Sequence, residues 1–204
     1  MISLVTRRMS SPAPDFPAWA AQFIMDGTRA EVLMVARDRR GEVWLHRKSA
    51  WRLSSGTLKP GEEPTACLAR EVGEEFGAPL PLVRALAVLR LEMDAQDVLG
   101  AFVSHIFLLD AGDHVPAPVA DEGITAWRAI PVAGLYAEAA RLRALTSTAQ
   151  PDGWRLPYWG AFRALEHELV ADLLLSPDAV GRQPVGPSPG TAGLTTNRSS
   201  RRVS

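Results

Sequence analysis

Residues 51–78 read WRLSSGTLKPGEEPTACLAREVGEEFGA, and the fold and chemistry of this chain turn on them. The pattern predicts a helix over 62–75 that stops at Gly77, a residue free to take the left-handed conformation of a helix C′ position. Glu71, Glu74 and Glu75 stand at i, i+3 and i+4 and therefore share one helix face. Leu68, Val72 and Phe76 form a neighbouring apolar ridge, which would dock the helix on a core. Arg70, one turn before Glu74, reaches either that residue or Glu62 at the helix entrance. Like charges at this spacing repel by roughly 0.2–0.5 kcal/mol per exposed pair, and a bound divalent cation reverses the sign. An oxygen-only donor set favours Mg²⁺, with Mn²⁺ as the alternative, over Zn²⁺. Gly56 and Gly61 bracket a loop over 55–61 that turns back tightly and offers backbone groups beside such an ion. The plain alternative for the glutamate face is a solvated helix.

Outward from this stretch the pattern is mixed α/β. Residues 30–36 (AEVLMVA) predict a strand, 38–41 a turn, and 42–47 its hairpin partner, with Val43 and Leu45 on one face and Trp44 and His46 on the other. Strands are predicted over 82–92, 101–109 and 124–130, the first two joined by a polar turn around 94–100. Helices are predicted over 132–145 and, after a turn at 151–153, over 158–175. Hairpins with interspersed helices point to α+β or a mixed-sheet sandwich with helices outside it.

Residues 1–18, with Pro12, Pro14 and Pro17, read as an arm or loop, and 19–175 as one domain. Residues 176–204 combine proline, glycine, serine and four arginines, too little apolar surface to offset their ordering entropy, and read as a flexible tail. The whole chain has 204 residues and a formal net charge of -1, which disfavours nucleic acid as the main partner. A single cysteine excludes an intrachain disulfide framework. No apolar run approaches the ~20 residues of a membrane helix, so no membrane partner and a cytoplasmic location are expected.

Gly56, then Glu62, then Arg70-Glu71-Val72-Gly73-Glu74-Glu75-Phe76-Gly77 resembles the signature box of the Nudix hydrolase family. The match covers residues 56–78, and every charged and glycine position is filled. At average residue frequencies a chance match is on the order of 10⁻⁹ per start position. The departures are Ser54 and Ser55, where the family commonly has proline and glycine, and Ala78, where a larger aliphatic is usual.

The resemblance implies an α/β/α sandwich with a mixed sheet. It also implies Mg²⁺-dependent hydrolysis of a nucleoside diphosphate linked to another group, by Lewis-acid activation of a water. On that reading Glu71, Glu74 and Glu75, with the Gly56 carbonyl, are metal ligands, and Arg70 and Glu62 fix the helix and loop. Glu122, beside Asp121 before a late strand, is the first candidate for general base, Glu75 the second, and a solvated turn the plain alternative for 121–122. Arg47 and Lys48 leave a strand toward the loop and are candidates for phosphate oxygens or for solvated surface. Trp51 has two readings, stacking on a base or rim packing. His46 and His105 read as ordinary strand residues, Cys67 as a small buried group, and Trp154, Tyr158, Trp159 and Phe162 first as core, with a subunit interface or a substrate wall as the alternatives.

Among substrates, no proline lies near residue 92, no tyrosine lies in 79–135, and the SQPWPFPxS-type run of NADH-cleaving members is missing. What remains is a nucleoside triphosphate or a nucleotide-sugar-like compound. A binding module without turnover and an RNA 5′-end pyrophosphohydrolase are the alternatives. Dimers are common in the resembled family, so a homodimer is a further expectation.

Overall fold

Strand β2 (Thr28–Asp38) is the hub of the sheet, because Val32–Ala36 is apolar on both faces and is buried on both. The computed structural model describes residues 2–24, 28–95, 100–145 and 156–176. On one edge β2 runs parallel to β7 (Ala101–Gly112). On the other it pairs antiparallel with β5 (Ser54–Thr57) and, at its end, with β3 (Val43–Arg47). Beyond β7 come β6 (Leu82–Met93), antiparallel, and β1 (Ser3–Met9), parallel to β6. Beyond β3 lie β4 (Trp51–Arg52) and β8 (Ala126–Ile130), both antiparallel to it. The sheet is therefore mixed, as expected.

Helix α2 (Pro64–Phe76) covers one face through Cys67, Leu68, Val72 and Phe76, which meet Val32, Met34, Ala36 and Trp44. Pro64 opens the helix where no N–H partner is needed, and Gly77, at φ 69°, closes it with its N–H donated to Gly73 O. On the opposite face α3 (Gly134–Arg143) and α4 (Leu156–Leu175) pack on Leu33, Val35, Val43 and Leu45 through Leu135, Leu169, Val170 and Leu173. Two helix layers around one mixed sheet make the α/β/α sandwich. No helix among the described residues is long and apolar enough to cross a membrane.

Residues 1–18 depart from the arm expected of them. Ser3–Met9 is a sheet strand, and α1 (Phe16–Ile24) begins before residue 19. Three prolines suggested a loop, but Pro12 and Pro14 fall between the elements and Pro17 sits in the first helical turn, where proline is tolerated. The overlooked signal is Phe16, Trp19, Ala20, Phe23 and Ile24, a helical stripe buried against Phe102 and Phe162. Trp154, the turn at 151–153, and the tail from 177 onward lie outside the described residues. Tyr158 and Phe162 join the core near α1, and Trp159 packs between α4 and α3.

A polar seam crosses the buried layer between sheet and α4. Arg163 donates to both oxygens of Glu31, at 2.6 and 3.0 Å, and to Glu166 at 2.7 Å. Ser104 Oγ donates to Glu166 at 2.6 Å. Glu31, Glu166 and Arg163 are 2%, 0% and 7% exposed. Burial raises the Glu166 carboxyl to about 8, helped by the neighbouring Glu31 and opposed by Arg163. Glu31 is lowered overall, because the Arg163 charge and hydrogen bonds outweigh its desolvation. His167, on the next turn position, accepts the Leu53 N–H at 3.2 Å and ties α4 to the segment before Gly56.

Candidate active site on the acidic helix

Arg70 organises the acidic face. Its guanidinium donates to both Glu62 oxygens at 3.0 Å, to Glu71 Oε1 at 2.6 Å, to Glu74 Oε2 at 3.1 Å and to Thr57 O at 3.3 Å. Both pairings open to it in the sequence are thus made at once. Glu62 also accepts the Lys59 N–H at 2.8 Å, which pins the loop to the helix. Arg70 and then the Lys59 N–H hold the Glu62 carboxyl down at about 2, and Glu62 in turn raises Arg70.

Gly56 lies in β5 opposite Val32, so three of the seven residues expected to be loop, 55–57, are strand. The small residues Ser54, Ser55 and Gly56 carry no apolar alternation to announce it. A Cβ at Gly56 would stand 1.8 Å from Glu71 Cδ and 2.2 Å from its Oε1, so the carboxylate rests on the glycine backbone. The Gly56 carbonyl accepts the Cys67 thiol at 3.7 Å. Burial, with Glu75 and Glu74 adding, raises Glu71 against the pull of Arg70.

Glu75 is 1% exposed. Lys48 Nζ lies 3.1 Å from its Oε1, and His46 Nδ1 lies 3.6 Å from its Oε2. That Oε2 has no hydrogen-bond partner, and burial raises the carboxyl above its ordinary range. His46 is also within 3.4 Å of Ser54 Oγ, and burial, reinforced by Arg52 and Lys48, drives it well below its ordinary value, so it is neutral. The same Lys48 reaches Glu122 Oε2 at 3.7 Å. A turn closed by the Val119–Ile124 bridge brings Glu122 there, while Asp121 is exposed.

The three helix glutamates differ. Glu71 and Glu75 are buried, whereas the Glu74 side chain is 44% exposed and held by Arg70 alone. Among the described residues no three His, Cys, Asp or Glu side chains form a ready cage for a metal ion. Arg70 and Lys48 hold the carboxylates instead. The donor set fits a hard divalent cation all the same: it is all oxygen and anionic, Glu71 and Glu75 are buried, and Glu75 Oε2 is left unsatisfied.

Of the basic and aromatic candidates, Lys48 alone faces the carboxylates. Arg47 and Trp51 line a cavity of about 290 Å³ with Ser49, Glu138, Arg141 and Leu142. The Arg128 guanidinium sits 4.3 Å from the Trp51 ring centroid, so the indole packs as well as lines the cavity. His105 lies on β7 opposite Val32, and Cys67 is fully buried. His46 was legible only as an alternating strand residue. Its place beside Glu75 comes from strand register, as does that of Arg52, its cross-strand partner.

The sequence model of the NUDIX domain matches residues 27–149, more than half of the chain. An RNA pyrophosphohydrolase of Yersinia enterocolitica is 40% identical over 68 residues, 32% of this chain and 39% of that relative, so the match spans well under half of its length. Among solved structures, DR0079 from Deinococcus radiodurans aligns at a TM-score of 0.45 with 20% identity, over 66% of this chain and 81% of that one. The dihydroneopterin triphosphate pyrophosphohydrolase of E. coli aligns at 0.42 with 18% identity, over 54% and 84%.

Proposed function

The chain belongs to the Nudix family, and from that premise we propose that it is a Mg²⁺-dependent pyrophosphohydrolase acting on a nucleoside diphosphate linked to another group. The observation that carries this reading is the placement of Glu71 and Glu75, two buried carboxylates on one face of α2, with Glu71 laid on the Gly56 backbone. Without a cation, burial raises both carboxyls, and Glu75 adds to the rise at Glu71. Glu71, Glu74, Glu75 and the Gly56 carbonyl would hold the ion, with Mn²⁺ as a substitute. When bound it supplies Lewis acidity and neutralises pyrophosphate charge. Arg70 and Glu62 keep the helix carboxylates and the loop in register. Glu122 accepts the proton of the attacking water, with Lys48 holding its carboxylate beside Glu75. Arg47 and Trp51 bind the part of the substrate beyond the phosphates.

The test is a panel of nucleoside triphosphates, nucleotide sugars and 5′-triphosphorylated RNA with Mg²⁺ and product identification. The RNA arm is motivated by the activity named for the Yersinia relative. Release of a phosphate-bearing product from one class identifies the substrate. A folded chain that cleaves none of them with Mg²⁺ or Mn²⁺ removes the reading.

Gly56→Ala is expected to lower turnover of that substrate by about 10²-fold, because its methyl occupies the place of the Glu71 carboxylate and a shift of ~1 Å costs that much. Turnover within threefold of wild type would show that Glu71 need not rest there.

A further inference from the structure

Arg52 is a cation with no directly paired anion among the described residues; Glu75, Glu31 and Glu166 act on it only from beyond ion-pair distance. It is half-buried in β4, and among the described residues its guanidinium makes no salt bridge and no hydrogen bond. The other half-buried arginines near the site are matched: Arg70 lies 2.6 Å from Glu71, and Arg128 lies 2.6 Å from Glu138. The buried acids on the α4 side are taken as well, since Arg163 holds both Glu31 and Glu166. Arg52 instead stacks 5.3 Å from the centroid of Trp159, whose ring is also 5.9 Å from the Arg163 guanidinium.

Two arginines on one indole repel each other. Arg52 is lowered to about 10, first by burial and then by Arg163, against the pull of Glu75, Glu31 and Glu166. Glu166, raised to about 8, keeps its proton near neutrality and leaves this corner with a positive excess. Arg52 is also tied to the reaction centre by strand pairing. It stands across from His46, whose imidazole is 3.6 Å from Glu75.

We propose that the Arg52 guanidinium, with Trp159 as its platform, docks a phosphate of the substrate on the α4 side of the acidic helix. The proposal rests on the pyrophosphohydrolase reading above. An arginine fork gives two parallel N–H donors to a phosphate, and an aromatic face beneath it fixes the plane of that fork without consuming any of the donors. The arriving anion also relieves the repulsion between Arg52 and Arg163. The carboxylates and their cation then act on the bridging bond while the phosphate at Arg52 sets how far the chain enters.

The test is calorimetric titration of the full chain with imidodiphosphate, a non-hydrolysable pyrophosphate analogue, in Mg²⁺. Arg52→Gln should weaken its Kd by roughly ten- to hundredfold at an unchanged melting temperature. In turnover of the substrate found by the panel, KM should rise by a similar factor with kcat within threefold, the sign of a contact made equally before and during reaction. If Arg52→Gln does not fold, Arg52→Lys decides: loss of the fork should weaken binding at least threefold, and wild-type affinity overturns the proposal. Unaltered Kd in a folded Arg52→Gln overturns it too, with the hydrolase reading intact. Wild-type protein that hydrolyses a nucleotide yet does not bind imidodiphosphate at millimolar concentration overturns the Arg52 assignment alone. Wild-type protein that does neither removes both.

Discussion

Replacing Glu75 by glutamine is expected to cut kcat about 10²–10⁴-fold while leaving the protein as stable as before or more so. The two halves of this result have one cause. Glu75 is 1% exposed, with Lys48 at 3.1 Å on one oxygen and no hydrogen-bond partner on the other. Desolvation of the ionised carboxylate is therefore poorly compensated, and a neutral amide of the same shape removes that cost. The charge is what turnover needs, whether Glu75 holds the cation or takes the proton. Steady-state kinetics and a melting curve on one preparation check both halves. A folded Glu75→Gln with kcat within threefold of wild type would exclude Glu75 from either role.

Arg163→Met should destabilise the fold by about 3–5 kcal/mol, because it strands the Glu31 carboxylate in the interior with no cation and removes a donor from Glu166. In a chain of this size that lowers the melting temperature by roughly 6–20 °C. Adding Glu31→Gln and Glu166→Leu should recover most of the loss, since an apolar or neutral set no longer needs the arginine. Failure of the triple variant to regain stability would mean that Arg163 acts through its contact with Phe162, 4.6 Å from its guanidinium, rather than through charge. The same melting experiment carries a pH signature. Glu166 is raised in the folded state, from 4.5 to about 8, so its protonated form stabilises the fold. That contribution is complete below pH ~4.5 and is lost as pH climbs through about 8. Wild type should therefore lose stability across this interval relative to Glu166→Gln, which cannot release the proton. Parallel pH curves for the two proteins would exclude the assignment.

What could be read from the sequence follows from the range of each interaction. The acidic helix was legible because its determinants are local: Glu71, Glu74 and Glu75 repeat at helical spacing, Val72 and Phe76 supply the docking ridge, and Gly77 ends the run. The domain-match over 27–149 extends the same family well beyond that helix. The central strands were legible because both faces of Val32–Ala36 are apolar. Strand β1 was not, since only Val5 and Met9 of its seven residues are buried and Arg7 and Arg8 break the alternation. In the Glu31–Arg163–Glu166 seam only Arg163 and Glu166 are local, three apart on α4; Glu31 is 132 positions away, and no spacing marks it as their partner. His46 and Arg52 are brought together only through β3–β4 register, which the sequence between them, a short turn, does not specify to the residue. Arg47 and Lys48 are adjacent, but Arg47 ends β3 and lines the cavity beside α3, while Lys48 lies past the strand end and reaches Glu75.

The parallel pairing of β1 with β6 has a consequence for synthesis. Ser3 meets Ala87 and Met9 meets Met93, so β1 waits for a strand made 84 residues later. At ordinary elongation rates that interval is roughly 4–17 s, long compared with hydrophobic collapse. Throughout it Leu4, Val5 and Met9 leave the ribosome with no ladder to join. The nascent chain thus exposes the adhesive β1 segment until β6 has emerged, and chaperone contact during translation should concentrate there.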